Sequence, residues 1–442
     1  MVLGINEYLN QVAFSEVIRI KKPVNSKFEA SAIIKKVQET GNGIVYFEKI
    51  AGYGFPLVSN VLGSRERIAQ IMSATKEGLN QRWLEAEANL DSYAPLEDEL
   101  GNYPYRECKL LDVPALIYCE KDAGHYFSAC MVCVQDPDNG SYNLSFHRMQ
   151  IVSDDKIRLR ITPGNHLETY LQRAEQKNQT LPVSIILGGH PALMLAGASR
   201  IPLDKCEVSL AGSLLGEKIT MAKCATVEAK APIGADFIIE AEFLPHTKED
   251  EAPFGDFFGY YVPVVKSPVV KINKVHRLQN ACAYGILAGS VEQDIMSSLT
   301  VSAGIYQAVK KAIPNIKAVN CLPKLYHSVI QMTEEYPGQG QQAAMLALAC
   351  DPSQTKICTV VDEDVDIFDE RDVYWAILTR SRLDRDITVI PNWRSFRRDA
   401  HSVFTSKMAI IALKPAEDEE GKSEYTRTAI PGYENIDVRD YL

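Results

Sequence analysis

The apolar positions change period twice along the chain. In residues 29–40, Ile33, Ile34 and Val37 recur at helical spacing, which predicts an amphipathic helix ended by Gly41-Asn42-Gly43. Ile44-Val45-Tyr46-Phe47 then reads as a short strand. Residues 66–89 are charged and rich in helix formers, and they predict one long helix. Turns follow at Pro95, Pro104 and Pro114. From about residue 115 the period shortens to that of strands, with runs at 115–119, 127–134, 142–151, 157–161, 183–187, 218–225, 237–243 and 260–265. Turn residues separate them, as in Asp136-Pro137-Asp138-Asn139-Gly140. A helix over 166–177 interrupts the series, and the spacing predicts a barrel or a packed sheet. Beyond about residue 295, helices over 297–312, 340–350 and 370–380 alternate with strands over 357–361 and 387–390. That alternation predicts an α/β unit with a mostly parallel sheet, with Asp369 as an N-cap. From residue 416 the chain is polar and reads as an extended surface tail.

Length adds a constraint. A single core rarely grows past about 250–300 residues, so 442 residues imply more than one domain. An apolar fraction of 46% with 24% charged residues is that of an ordinary globular protein. The net charge of −10 argues against a nucleic-acid partner. The densest basic cluster, Arg394-Ser395-Phe396-Arg397-Arg398, is short and flanked by Asp384, Asp386 and Asp399. No run of about 18 apolar residues suggests a membrane span, and residues 1–12 carry Glu7 and lack the basic start of a signal peptide. A cytoplasmic protein is therefore expected. Of ten cysteines, Cys130 and Cys133 alone form a C-x-x-C pair; set in an apolar strand, they read as core thiols rather than a redox or metal pair.

Four stretches carry candidate chemistry. Glu251 and Asp256 flank Ala252-Pro253-Phe254-Gly255, and two carboxylates held near aromatic residues can divide the roles of acid and base. The same residues also fit an exposed acidic turn after Lys248-Glu249-Asp250. In Asn143-Leu144-Ser145-Phe146-His147-Arg148-Met149-Gln150, read as a strand, Asn143, Ser145 and His147 share one face and Leu144, Phe146 and Arg148 the other. An arginine on an apolar face needs an anion, either a glutamate or a substrate carboxylate. Thr162-Pro163-Gly164-Asn165-His166 opens a helix, where Asn165 can cap it or the backbone N–H groups can hold a phosphate. Glu207 by itself says little. Gly338-x-Gly340-x-x-Ala343 lacks the preceding strand of a dinucleotide fingerprint. Asp362-Glu363-Asp364-Val365-Asp366 reads as a solvated loop or as helix caps more readily than as a cation site.

In this order and spacing, the pieces resemble the UbiD-like prenylated-flavin decarboxylases. The matching elements are Asn143-x4-Arg148, His166, Gly188-Gly189-His190-Pro191, Glu207 with Ala211-Gly212, Pro232 with Ile238-Ile239-Glu240, the stretch from Glu251 to Tyr261, and Val361 to Ile367 with Val373-x-Trp375-Ala376. The resemblance runs from Asn143 to about Asp399, over half of the chain. It implies a mixed α/β fold with an N-terminal α/β region (1–114), a split β-barrel flavin-binding domain (115–295), a C-terminal α/β oligomerisation domain (296–415) and a tail (416–442). It implies Asn143, His166 and Glu207 as ligands of Mn²⁺ or Mg²⁺, bridging to the phosphate of prenylated FMN with K⁺ nearby. Ser145, Arg148, Met149 and Asn165 complete the implied cofactor site.

The implied reaction is reversible, non-oxidative decarboxylation of an aromatic, heteroaromatic or α,β-unsaturated acid. Arg148 positions the carboxylate, Glu251 tunes the acid and Asp256 donates the proton. A flavin prenyltransferase as cofactor supplier and a homodimer or homohexamer are implied too. The chain departs from the family pattern at Ala252 and Ala241, where glycine is usual, at Asp399-Ala400-His401, where Asp-Pro is frequent, and at Asp256, where some relatives carry Glu. The competing readings are a flavin-dependent oxidoreductase, which would not need the Arg148–Glu251–Asp256 set, and a non-catalytic flavin-binding subunit, which would not need intact Asn143, His166 and Glu207.

Overall fold

The computed structural model describes residues 4–351, 354–394, 404–414 and 425–438. Arg394 is thus the one described member of the basic cluster. Asp399-Ala400-His401 and, of the expected tail, residues 416–424 and 439–442 lie outside the described residues. The chain forms two compact units: one runs to Gly304 and includes Pro323–Leu325, and the other comprises Ile305–Leu322 and Tyr326 onward.

Six strands of the first unit form a closed antiparallel barrel. They are β1 (Tyr126–Gln135), β2 (Tyr142–Ser153), β3 (Lys156–Leu159), β4 (Leu181–Leu187), β5 (Phe237–Glu251) and β6 (Val265–Arg277). The ring runs β5-β4-β1-β2-β3-β6 and closes where β6 pairs with β5. Closure leaves no unpaired edge in the ring, and inward apolar residues fill it. Two short helices flank the site: α1 (His166–Gln176), and α2 (Glu207–Leu215). A smaller sheet joins Val17–Ile20, Ile44–Phe47, Leu57–Ser59 and Ala283–Tyr284 in that order.

The patterned elements match the expectation closely. The helix over Glu29–Thr40 and the strand Ile44–Phe47 form as read. Three expectations for the first unit need correction. The single helix over 66–89 is two, Arg65–Ile71 and Leu79–Ala88; between them Ser73 adopts a left-handed φ of +54° that breaks the hydrogen-bond ladder. Residues 115–119 make isolated bridges to Lys27 and Tyr126 rather than a strand. The strand over 260–265 is the two-residue Tyr261–Val262, and the long β6 follows it. Pro268 disguises β6. A proline cannot donate to a ladder, and here it sits beside a bulge of β5 between Phe243 and Lys248.

Inside the barrel wall, Glu240 of β5 is fully buried. It accepts hydrogen bonds from His276 Nε2 (2.6 Å), the amides of Ala225 (3.0 Å) and Thr226 (2.6 Å), and the Thr226 hydroxyl. Burial alone would raise its carboxyl pKa. The His276 bond and the other donors reverse that and bring it down to about 2. The neighbouring Ala241 pairs with Val183 in register and with Ile272 beside a bulge of β6, and its φ is not positive, so its backbone does not call for glycine.

The second unit holds a five-stranded sheet in the order Ile316–Cys321, His327–Met332, Ile357–Val361, Phe404–Ala412 and Ile387–Arg394. Its two central pairings are parallel and its two outer ones antiparallel, so the sheet is mixed rather than mostly parallel. The helix Glu370–Arg380 carries its N-cap at Asp369, whose side chain accepts from the Arg371 amide. Its last residue, Arg380, engages Asp362 (2.6 Å) and Asp364 (2.9 Å), which gives the acidic run a structural ion-pair role. All ten cysteines are free; Cys130 and Cys133 are buried, with their thiols pushed up by burial. No helix among the described residues is long and apolar enough to cross a membrane.

Candidate active site

Three elements bring one donor group each to a common point. Asn143 projects from β2, His166 is the first residue of α1, and Glu207 is the first residue of α2. The Asn143 amide atom placed as Nδ2 lies 2.8 Å from Glu207 Oε1 and 3.4 Å from His166 Nδ1. The other Glu207 oxygen accepts from the Leu144 amide at 2.9 Å. Glu207 is only 3% exposed, and burial pushes its carboxyl up to about 7. Burial also holds the His166 imidazole below its usual range, which leaves its nitrogen available as a ligand. An amide, an imidazole and a carboxylate short of positive charge suit a small divalent cation such as Mn²⁺ or Mg²⁺. Among the described residues no cluster of three or more His, Cys, Asp or Glu competes with this set.

The opposite face of β2 carries Arg148. Its fork donates Nε–H to Glu251 Oε1 and Nη2–H to Glu251 Oε2, both at 3.0 Å. Glu251 is fully buried at the end of β5, and the Arg148 side chain is 10% exposed. The guanidinium also lies 4.8 Å from the centre of the Phe254 ring, and Tyr126 packs on that ring at 4.5 Å. The fork fixes the guanidinium in plane, and the ring stabilises its charge. Arg148 has five N–H groups and gives two to Glu251, so three are left to donate. It stands opposite a β-bulge of β1, where Phe127 pairs with Met149 and Cys130 with His147. A bulge increases local twist and re-aims the facing side chain.

Asp256 follows the short strand Phe254–Gly255 and is half-buried. Its Oδ1 accepts from the Phe257 amide at 2.8 Å, and its carbonyl accepts from the Gly259 amide. Ala252 adopts a left-handed φ of +77°, which is where the missing glycine matters. Of the other expected residues, Ser145 contacts both Asn143 (2.9 Å) and His147 (3.0 Å). Asn165 caps α1 by accepting from the Glu168 amide at 2.9 Å, and the Met149 side chain is buried in the barrel core.

One supporting residue escaped the sequence reading. Asp122 accepts from the amides of Gly255 (2.9 Å), Cys119 (2.8 Å) and Tyr118 (3.0 Å), and the neighbouring Ala123 amide donates to the Pro253 carbonyl. These bonds clasp the turn between Glu251 and Asp256. A lone aspartate in a polar turn carries no periodic signal, so only the folded chain reveals it.

The chain matches three family models in sequence: the 3-octaprenyl-4-hydroxybenzoate carboxy-lyase N-terminal domain over residues 13–87, the Rift-related domain over 90–291 and the C-terminal domain over 294–412. It is 30% identical to an anhydromevalonate phosphate decarboxylase of Methanothermobacter thermautotrophicus, over 93% of this chain and 97% of that one. It is 28% identical to a phenolic acid decarboxylase of Bacillus subtilis, over 84% of each. Among solved structures, the UbiD-class enzyme HmfF from Pelotomaculum thermopropionicum in complex with FMN superposes with a TM-score of 0.92 at 30% identity, covering 99% of this chain and 100% of that one. An evolved dimeric form of HmfF in complex with prFMN gives a TM-score of 0.89 at 29% identity, covering 99% of this chain and 100% of that one. The chain belongs to the UbiD family and is a carboxy-lyase, a decarboxylase of that family.

Proposed function

We propose that the protein catalyses reversible, non-oxidative decarboxylation of an aromatic, heteroaromatic or α,β-unsaturated carboxylic acid with prenylated FMN. The observation that carries this reading is the buried two-pronged ion pair between Arg148 and Glu251, with three guanidinium N–H groups left to bind a carboxylate. Asn143, His166 and Glu207 would hold Mn²⁺ or Mg²⁺ at the flavin phosphate, with K⁺ beside it, and Ser145, Met149 and Asn165 would line the cofactor. When bound, the prenylated flavin supplies the sink for the electron pair left by departing CO₂.

Arg148 holds the substrate carboxylate in a fixed orientation, and Glu251 holds Arg148. The Phe254 ring and the barrel wall keep water from that ion pair. Asp256 delivers the proton to the carbon that has lost CO₂, and Glu251 tunes the proton affinity of the group. In the reverse direction Asp256 removes that proton and Arg148 receives the new carboxylate.

The relatives at 28–30% identity span two substrate types by name, anhydromevalonate phosphate and phenolic acids. Phe257-Phe258 beside Asp256 supports a planar ring acid as the first class to test, whereas His147 lies on the face of β2 away from Arg148, with its ring nitrogens on Ser145 and the Arg160 carbonyl. The second unit exposes Tyr374, Leu378, Leu383, Val389 and Phe404, which supports self-association as a dimer or hexamer. A flavin prenyltransferase would supply the cofactor. The domain limits 1–114, 115–295, 296–415 and 416–442 stand as proposed boundaries.

The test is to co-express the protein with a flavin prenyltransferase, purify it without oxygen and measure CO₂ release from a panel of acids of both types. Asp256→Asn is expected to retain the flavin and to lose turnover by about 10²–10⁴-fold, together with solvent-deuterium exchange into product. An unreactive holoenzyme across the panel, or full activity in Asp256→Asn, would sink the reading.

A further inference from the structure

Beyond the cation ligands, and resting on the cation reading above, a hydrogen-bonded relay on β2 decides which atom of Asn143 faces the site. The Asn143 atom placed as Oδ1 is 2.9 Å from Ser145 Oγ, Ser145 Oγ is 3.0 Å from His147 Nε2, and His147 Nδ1 is 3.1 Å from the Arg160 carbonyl oxygen. Counting protons fixes the direction. A carbonyl oxygen only accepts, so His147 Nδ1 carries a proton. The ring is 6% exposed, both its partners are uncharged, and burial holds its pKa down to about 4, so it is neutral and Nε2 is bare. Nε2 therefore accepts the single hydroxyl proton of Ser145. Ser145 Oγ can then only accept, and the Asn143 atom beside it must be the amide nitrogen. Amide nitrogen and oxygen have the same shape and are told apart by their partners. The half-turned amide directs its oxygen toward Glu207 Oε1, at 2.8 Å, and toward His166 Nδ1, at 3.4 Å.

We propose that His147 is a positioning residue for the cation site: acting through Ser145, it holds Asn143 with its carbonyl oxygen toward Glu207 and His166. An amide oxygen and a carboxylate oxygen at this separation repel unless a cation or a proton lies between them. The relay thus selects for a cation or a proton there and against a neutral hydrogen bond from Asn143 to Glu207. A phenylalanine at position 147 leaves the Ser145 hydroxyl free to turn back to Asn143, and the amide is then free to present N–H to the site.

The experiment titrates Mn²⁺ into metal-free protein reconstituted with FMN and reads unbound Mn²⁺ by electron paramagnetic resonance. Loss of a partner that orients a ligand weakens metal affinity by about 10–100-fold, and this is expected for both His147→Phe and Ser145→Ala. In an Asn143→Asp background both side-chain atoms are acceptors, so adding His147→Phe should cause no further loss. Equal losses in the two backgrounds would make His147 a packing residue and overturn the proposal. If the wild type binds Mn²⁺ and both single variants match it, the cation reading stands and the orienting relay falls. If the wild type takes up no Mn²⁺, both fall. Thermal unfolding followed by circular dichroism checks each variant. Ser145→Ala removes one oxygen and carries the test if His147→Phe does not fold.

Discussion

At the scale of single residues, the site rests on directional bonds that close substitutes cannot reproduce. Arg148 meets Glu251 through two parallel hydrogen bonds from a planar fork, and a lysine offers one point charge instead. Losing one hydrogen bond to a charged group costs about 1.5–3 kcal/mol, so Arg148→Lys should lower kcat/KM by roughly 10–100-fold. Steady-state kinetics on the loaded enzyme checks this; a variant as active as wild type would show that the fork is dispensable. Ala252 is a different case. Its φ of +77° places a Cβ in a region that costs a non-glycine residue about 1–2 kcal/mol. Replacement by glycine relieves that strain and adds backbone freedom to the unfolded chain, which costs back about 0.5–1 kcal/mol. Ala252→Gly should therefore raise stability by about 0.5–1 kcal/mol, read from chemical denaturation. A clear loss of stability would show that the methyl group contributes packing that outweighs the strain.

At the scale of elements, pattern was legible wherever one face meets water. The helix Glu29–Thr40 shows its period because its buried and exposed positions differ. The helix α2 and the helix Pro191–Gly197 are absent from the sequence reading because nearly every residue in each is buried, so there is no polar face to set a period. β6 was hidden by Pro268 and by Lys266, Lys271 and Lys274. The candidate site was legible at Asn143, Arg148, His166, Glu207 and Glu251 through a resemblance in order and spacing, whereas Asp122 and the His147 relay depend on contacts between distant segments. The β5–β6 seam also carries a pH dependence. The Glu240 carboxyl is depressed to about 2, so the stability it confers is present above the ordinary carboxylate pKa and is lost as pH falls through about 2. A shift of this size corresponds to an order of 3 kcal/mol. Glu240→Gln should thus be destabilised against wild type at neutral pH, with the gap closing between about pH 4.5 and 2. Denaturation curves at several pH values decide this, and a pH-independent gap would assign the loss to packing.

At the scale of the whole molecule, the chain divides into two compact units, and the expected ligands of cofactor, cation and substrate all belong to the first. A ligand stabilises the unit that binds it, by about 2.7 kcal/mol at a hundredfold excess over Kd. Calorimetry should therefore resolve two transitions. Added FMN with Mn²⁺ should raise the one belonging to the first unit by roughly 5 °C and leave the other in place. A single transition that moves as a whole would show instead that the units unfold together.

The bulge in β1 opposite Arg148 has a bearing on how such a chain can change over generations. Asn143 and Arg148 lie on opposite faces of one strand, five positions apart, and the extra residue of the neighbouring strand is matched to that count. Exchanging a side chain leaves the count intact. Gaining or losing one residue between them would swing either the cation ligand or the arginine to the wrong side of the wall. β2 therefore acts as a ruler of fixed length. Descendants with new substrates should differ by substitutions around residues 143–148 and seldom by insertions or deletions within them.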